Sequence, residues 1–566
     1  MTPAIPPHRA VIALSCLIVA CAGPPRHDPA LPVPTTEPSV VIMAQVGMGS
    51  LLREQVELDG RTLNVYRALP ISDPRVTAAR RALASPPVRR LLVLIDAARR
   101  LRRTDPPPAG IDRAAWSRAA SSPFYLSVEG SLEEHGGAGF VLRTDDGDIA
   151  HPATPFVELA GTATDLASPR YAASLVHEMT HALFALAGAQ WSGPCSSNLE
   201  ACGRVPSAFH DIQRPTQPLQ ALNEGYSEHM EALAFLAQPG AAALEWALSP
   251  DGAVAAARGF VSPRARRLDH VIWNRAIFEP ARIPDETIAR DGIDAAHRSY
   301  QDSQPIDDHR LRTCREILST EGAVASILTR LALDDTLARS PLPDELRAMA
   351  PAGADREGWL AALGPSGPVE LRLIYLLARM PAGTPAATGE VGLRELIEHW
   401  RATFPADAPA VTRVMIAATL GTTASATLAA RLRALLATPT IVPARDPQHA
   451  SLRSASQELL ALARSPAVAG PGLFEACGPP LWVAVPGKTL CGDFGGPCLP
   501  LELDLNAASE LDLRLLPGVD AGRSRRAIEA RELRGYFATR EAALAAAGLG
   551  VPQAAAIAAR PRPGPQ

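Results

Sequence analysis

Residues 175–188 read LVHEMTHALFALAG, and the rest of the chain is best understood outward from them. Leu175, Met179, Leu183 and Leu186 recur at helical spacing, which predicts a helix with one buried side. His177 and His181 stand four residues apart and off that apolar line, so both imidazoles project from one face about one turn apart. Two imidazoles so arranged suit a single metal ion, and Glu178, directly after the first, can reach a water held there. A catalytic zinc takes three protein ligands and leaves one position open. This helix offers two, so the third has to come from elsewhere.

The stretch 222–232, LNEGYSEHMEA, supplies it. Glu224 and Glu228 are again four apart and share a helical face. Glu224, Glu228 and His210 are the candidates for the third ligand. The string Asn223-Glu224-Gly225-Tyr226-Ser227-Glu228 resembles the N-E-x-x-S-[DE] motif of thermolysin-like metallopeptidases. Together with His177-Glu178-x-x-His181 it resembles the gluzincin pattern, over roughly residues 140–240. That resemblance implies a zincin-like domain in which His177, His181 and Glu224 hold Zn2+ and Glu228 sits behind His177, orienting its ring. It implies hydrolysis of a peptide or protein substrate by a zinc-activated water, with Glu178 as general base. Gluzincins often add a histidine or tyrosine that stabilises the tetrahedral intermediate. Tyr226, His229 and His210 are available for this, and no motif selects among them. The segment from His181 to Glu224 is longer than in thermolysin and carries Cys195 and Cys202, a disulfide pair that could brace a lid.

Upstream, His8 and Arg9 precede the apolar run VIALSCLIVA, which is too short to span a bilayer but has the length of a signal-peptide core. Ile18-Val19-Ala20-Cys21 resembles a bacterial lipobox, implying cleavage before Cys21 and lipidation there. Ala22 resembles the residue found in lipoproteins sorted onward to an outer membrane. The expectation is an exported protein held to the cell envelope by a lipid anchor alone. In an oxidising compartment the remaining cysteines read as disulfide formers, and Cys314 could join the late group of Cys477, Cys491 and Cys498.

A chain of 566 residues predicts about two to four domains. Its 47 % hydrophobic and 20 % charged residues are those of a globular protein, and a net charge of −4 argues against a wholesale nucleic-acid binder. The organisation expected is a signal peptide over 1–20, a Pro-rich tether over 21–40 and a zincin-like domain with a small N-terminal sheet over 41–270. A helical region follows over 271–465, either an extension of that domain or a repeat array, then a Cys/Pro/Gly linker over 466–500. The fold class is α+β, mainly helical. Within the first domain, VELDGRTLNVYRAL predicts a hairpin around Asp59-Gly60, and FYLSVEG, GFVLRTDDGDI and PFVELAG predict strands. RRLLVLIDAARRLRR predicts a basic amphipathic helix whose charged face lies in solvent or against anionic lipid.

Residues 501–566 have their own character. Leu516-Pro517-Gly518-Val519, Arg531 with Gly535-Tyr536-Phe537, and Gly548-Leu549-Gly550 with Ala554 resemble the tandem helix-hairpin-helix domain of competence-type DNA receptors. The resemblance implies phosphate contacts at Gly518, Arg523, Gly548 and Gly550, helped by Arg525 and Arg526. Asp520, however, stands at the first hairpin's second glycine position, and nine arginines against eight acids leave little net charge. The partner here is therefore DNA or protein. The rival to a peptidase is a surface DNA-binding or scaffold lipoprotein whose zincin domain is catalytically idle.

Overall fold

The computed structural model describes residues 26–27, 40–47, 54–58, 61–104, 113–128, 135–159, 169–187, 218–236, 313–379, 392–430, 471–477, 482–484, 490–491, 497–498, 501–506, 519–534, 536–550 and 559–560, with single positions at 454, 458, 461, 508 and 513. Cys21, Cys195, Cys202, His210, Gly518 and the Asp59-Gly60 turn lie outside the described residues.

The first part of the chain runs β1 (Arg26–His27), β2 (Val40–Gln45), β3 (Gln55–Leu58), β4 (Arg61–Ala68), α1 (Pro74–Leu83), α2 (Pro86–Thr104), α3 (Arg113–Ser121), β5 (Phe124–Val128), β6 (His135–Thr144), β7 (Gly147–Leu159), α4 (Pro169–Ala187) and α5 (Pro218–Leu236). Strand β2 pairs antiparallel with β4 and parallel with β5, and β5 pairs parallel with β7. Strand β6 pairs with both β4 and β7, so these five strands curl into a closed ring. Alternation along each strand then gives two cores. Met43, Tyr66, Tyr125, Phe140, Leu142 and Phe156 fill the inside of the ring, where Tyr66 donates a 2.7 Å hydrogen bond to buried Glu158. Their neighbours Ile42, Phe124, Leu126, Val128, Val157 and Leu159 face the helices.

The helical region contributes α6 (Cys314–Leu318), α7 (Glu321–Ala332), α8 (Asp335–Arg339), α9 (Asp344–Arg347), α10 (Arg356–Leu363), α11 (Gly367–Arg379), α12 (Leu393–Thr403) and α13 (Ala408–Thr419). It is no separate array. Its apolar residues belong to one continuous cluster with those of α2, α4, α5 and the helix-facing side of the strands. Every residue of α7 is buried. A buried Arg372–Asp407 ion pair at 2.7 Å, with Trp400 donating to the same carboxylate at 3.1 Å, ties α11, α12 and α13 together.

Two expectations change and one is made specific. The helix α2 keeps only part of its basic face in solvent: Arg89 and Arg103 are exposed, while Arg99 and Arg102 turn inward. It packs against α4, α10 and α11, and Arg99 and Arg102 are only 5 % and 2 % exposed. Burial, with repulsion from a neighbouring guanidinium, pushes Arg99 down to about 10 and Arg102 down to about 9. The GFVLRTDDGDI segment is a hairpin, not a strand: β6 ends at Thr144, Gly147 (φ 124°) turns the chain, and β7 runs unbroken through PFVEL. Among the late cysteines it is Cys477 that Cys314 joins, with the two Cα atoms 4.9 Å apart and 163 residues between them in sequence.

That bond closes a long loop, and most of a disulfide's effect is to restrict the unfolded chain. Replacing Cys314 and Cys477 together by serine should lower unfolding stability by about 2–4 kcal/mol. A urea midpoint unchanged by the double substitution would show that the bond contributes nothing.

The C-terminal module packs around its own small cluster, which includes Leu505, Val519, Ala527, Phe537, Leu544 and Leu549. Its helices are α14 (Ala521–Arg534) and α15 (Arg540–Ala546).

Candidate metal centre

Helices α4 and α5 both begin on proline, whose fixed φ suits the first helical position and whose missing N–H is no loss there. Leu175, Met179, Leu183 and Leu186 bury one side of α4, as their spacing predicts. The histidines emerge toward α5. There His177 Nε2, His181 Nε2 and Glu224 Oε2 converge, separated by 3.2 Å between the two rings and by 3.5 and 3.3 Å from each ring to the carboxylate. Among the described residues these three side chains form the one His/Cys/Asp/Glu group compact enough to hold a metal ion. Glu178 follows His177 on α4 and is 9 % exposed.

The outward ring nitrogens meet α5 as well. His181 Nδ1 lies 3.2 Å from Asn223 Oδ1 and 3.1 Å from Ser227 Oγ. The serine hydroxyl donates to the Asn223 carbonyl at 3.2 Å, so it accepts from the ring. Nδ1 therefore carries the proton, and the Nε2 lone pair is left facing Glu224. His177 Nδ1 lies 3.3 Å from Glu231 Oε2.

This last contact corrects the expectation for Glu228. At about 100° per residue, Glu231 projects about 20° from Glu224, on the side of Asn223 and Ser227. Glu228 projects about 40° to the other side. It is 1 % exposed, but the carboxylate beside His177 Nδ1 is that of Glu231. Burial alone would lower the pKa of His177, yet Glu224, Glu231 and Glu178 together hold it well above the ordinary imidazole value. His181 is raised for the same reason, by Glu224 and Glu178.

Tyr226 and His229 are corrected too. They project about 200° and 140° around the helix from Glu224, on its reverse face. Their rings stack with centroids 5.9 Å apart. His229 Nδ1 lies 3.0 Å from Thr329 Oγ1, and His229 Nε2 lies 3.0 Å from Glu370 Oε1. Tyr226 donates to Glu370 Oε2 at 3.4 Å. Burial and the Glu370 carboxylate hold the Tyr226 phenol well above its ordinary value. Neither group faces the converging donors, so neither is offered to a substrate there.

Gly225 lies between the two faces. A β-carbon on it would fall 2.7 Å from Val324 Cβ and 2.8 Å from the Glu321 carbonyl oxygen. Only glycine lets α7 approach α5 this closely. Asn223, Ser227 and Glu231 had a local signal, since polar residues at i, i+4 and i+8 mark one stripe of an otherwise apolar helix. Thr329 and Glu370 had none, because they lie 100 and 141 residues away from His229.

In the C-terminal module Asp520 caps α14, accepting the Arg523 backbone N–H at 2.8 Å. That hydrogen bond lowers its pKa. The carboxylate thus occupies a backbone N–H at the start of α14. Arg531 donates to the carbonyls of Leu505 and Ala508, and the Asn506 side chain bridges to the backbone of Phe537, so both residues hold the module together. Gly548 turns the second hairpin with φ 73°, Gly550 is exposed beyond it, and Arg526 Nη2 would lie 3.3 Å from a β-carbon at Gly548.

Comparison of the chain with protein-family models, curated proteins and solved structures returns no match.

Proposed function

We propose that the chain is a zinc-dependent metallopeptidase of gluzincin type that hydrolyses peptide bonds in peptide or protein substrates. The observation that carries this reading is the triangle of donor atoms with edges of 3.2, 3.3 and 3.5 Å. Tetrahedral zinc with bonds of about 2.0–2.1 Å needs its ligand atoms about 3.3 Å apart. The donor chemistry fits as well: two neutral imidazoles and one carboxylate leave a single positive charge and an open position. Bound there, zinc supplies a Lewis acid that polarises a carbonyl and makes water more acidic. The side chains do the rest. His177 and His181 direct Nε2 inward, with Glu231 beside the outer nitrogen of the first and Asn223 and Ser227 bonded to that of the second. The Glu178 carboxylate takes a proton from the attacking water and delivers it to the leaving amine.

Zinc binding tests the reading directly. The purified protein should hold one zinc per chain, and Glu224→Ala should weaken that binding by more than about 100-fold, the upper range for residues that only support a ligand. Competition with a chromogenic chelator measures both. A wild type without zinc affinity, or a Glu224→Ala protein that binds as tightly, would sink the assignment. Zinc binding without cleavage of any peptide in a mixed library would favour the scaffold or DNA-binding lipoprotein.

Export and lipidation at Cys21 belong to the same proposal. The Cys314–Cys477 bond supports an oxidising compartment. No helix among the described residues is long and apolar enough to cross a membrane. For the C-terminal module, the Asp520 cap favours a packing or protein-docking role over DNA contact at the first hairpin.

A further inference from the structure

We propose that Glu231 is the positioning residue that sets the tautomer and orientation of His177, and that Asn223, Ser227 and Glu231 form one orienting stripe for both histidines. The inference rests on the zinc reading above. It goes beyond that reading by moving the supporting carboxylate from Glu228, four residues past the ligand Glu224, to a residue seven past it.

Geometry carries the argument. Asn223, Ser227 and Glu231 are spaced i, i+4 and i+8 on α5, so they form a stripe that drifts about 40° per step. Helix α4 crosses this stripe in the opposite chain direction: His181 meets Asn223 and Ser227 at 3.2 and 3.1 Å, and His177 meets Glu231 at 3.3 Å. His181 is thereby hydrogen-bonded from behind by α5, and His177 has the Glu231 carboxylate at ion-pair distance behind it, while Glu224, from the same helix, faces both Nε2 atoms. Glu231 is 2 % exposed, so water competes little for its carboxylate.

The two supports differ in charge. His181 rests on an amide oxygen and a hydroxyl, both neutral, whereas His177 rests on a carboxylate. A carboxylate can only accept, so it selects the Nδ1–H tautomer and leaves the Nε2 lone pair free for the metal. Its negative charge also makes the imidazole a better donor. An amide in its place can turn its NH2 toward Nδ1 and stabilise the wrong tautomer. Glu231→Gln therefore changes the ring's preference while keeping the side chain's shape.

The test compares Glu231→Gln with Glu228→Gln in the full chain. Zinc affinity, measured by chelator competition, should fall roughly 10- to 100-fold for Glu231→Gln and by less for Glu228→Gln. In the cobalt-loaded proteins, the visible ligand-field bands should shift for Glu231→Gln and stay at the wild-type position for Glu228→Gln. Imidazole 15N and proton spectra of the zinc-loaded protein supply a second measurement. His177 should carry its proton on Nδ1, strongly downfield as a proton facing a carboxylate is. Zinc bound normally by the wild type but equally well by Glu231→Gln, with unshifted cobalt bands, overturns the role of Glu231 and leaves the zinc reading intact. A His177 Nδ1 proton no further downfield in the zinc-loaded wild type than in zinc-loaded Glu231→Gln overturns it as well. A wild type that takes up no zinc removes both.

Discussion

Glu178→Gln is expected to cut peptide hydrolysis by about 10²- to 10⁴-fold while leaving one zinc per chain. The reason lies in how α4 divides its work. His177 and His181 are one turn apart and send Nε2 toward Glu224, whereas Glu178 is not among the three converging donors. Glutamine keeps the size of the side chain and loses the site that takes up a proton. Glu178 also contributes negative charge beside both histidines, so a few-fold change in zinc affinity accompanies the substitution. Single-turnover cleavage of a peptide library, with zinc measured on the same sample, separates the two effects. Cleavage at the wild-type rate by a zinc-loaded Glu178→Gln protein would put the base elsewhere.

The second large effect is expected on stability, from a residue far from the metal in sequence. Glu370 and His229 are both 0 % exposed and lie 3.0 Å apart. The Thr329 hydroxyl donates to the Ala325 carbonyl at 2.8 Å, so it must accept from His229 Nδ1. Nε2 then faces Glu370 Oε1 at 3.0 Å, with both side chains shut off from solvent. Removing the carboxylate leaves His229 Nε2 and the Tyr226 hydroxyl without that partner in the core. Glu370→Ala should therefore cost about 3–5 kcal/mol of unfolding stability, the range for breaking one side of a buried pair. Glu370→Gln, which keeps an acceptor and the same volume, should cost less. Because Tyr226 and His229 belong to the same helix as Glu224, Glu370→Ala should also weaken zinc binding. Denaturant unfolding decides the matter: equal midpoints for Glu370→Ala and wild type would show that the network carries no weight.

How much of this was legible in the sequence differs from residue to residue. The inward donors were legible because helical periodicity is local: four residues is about one turn, wherever the helix ends up. The hairpin of β3 and β4 and the helices α4 and α5 follow from equally short-range patterns. The environment of α2 was legible only in part. Arg89 and Arg103 stay exposed as a solvated face predicts, yet Arg99 and Arg102 are buried where other helices pack on α2. Nor did the motif at Asn223–Glu228 reveal which acid meets His177, since Glu228 and Glu231 lie within about 60° of each other around the helix.

The sequence by itself determined the helices and the histidine pair, because those depend on residues within a turn or two, and it pointed to Glu224 only through a motif resemblance. Only the tertiary structure decided that Glu231 stands behind His177, that Tyr226 and His229 turn away into a buried network with Glu370, and that Cys314 pairs with Cys477. Periodicity gives the direction of a side chain from its own helix axis. What that side chain meets depends on where a second axis crosses, and here the crossing depends on Gly225 letting α7 come close to α5.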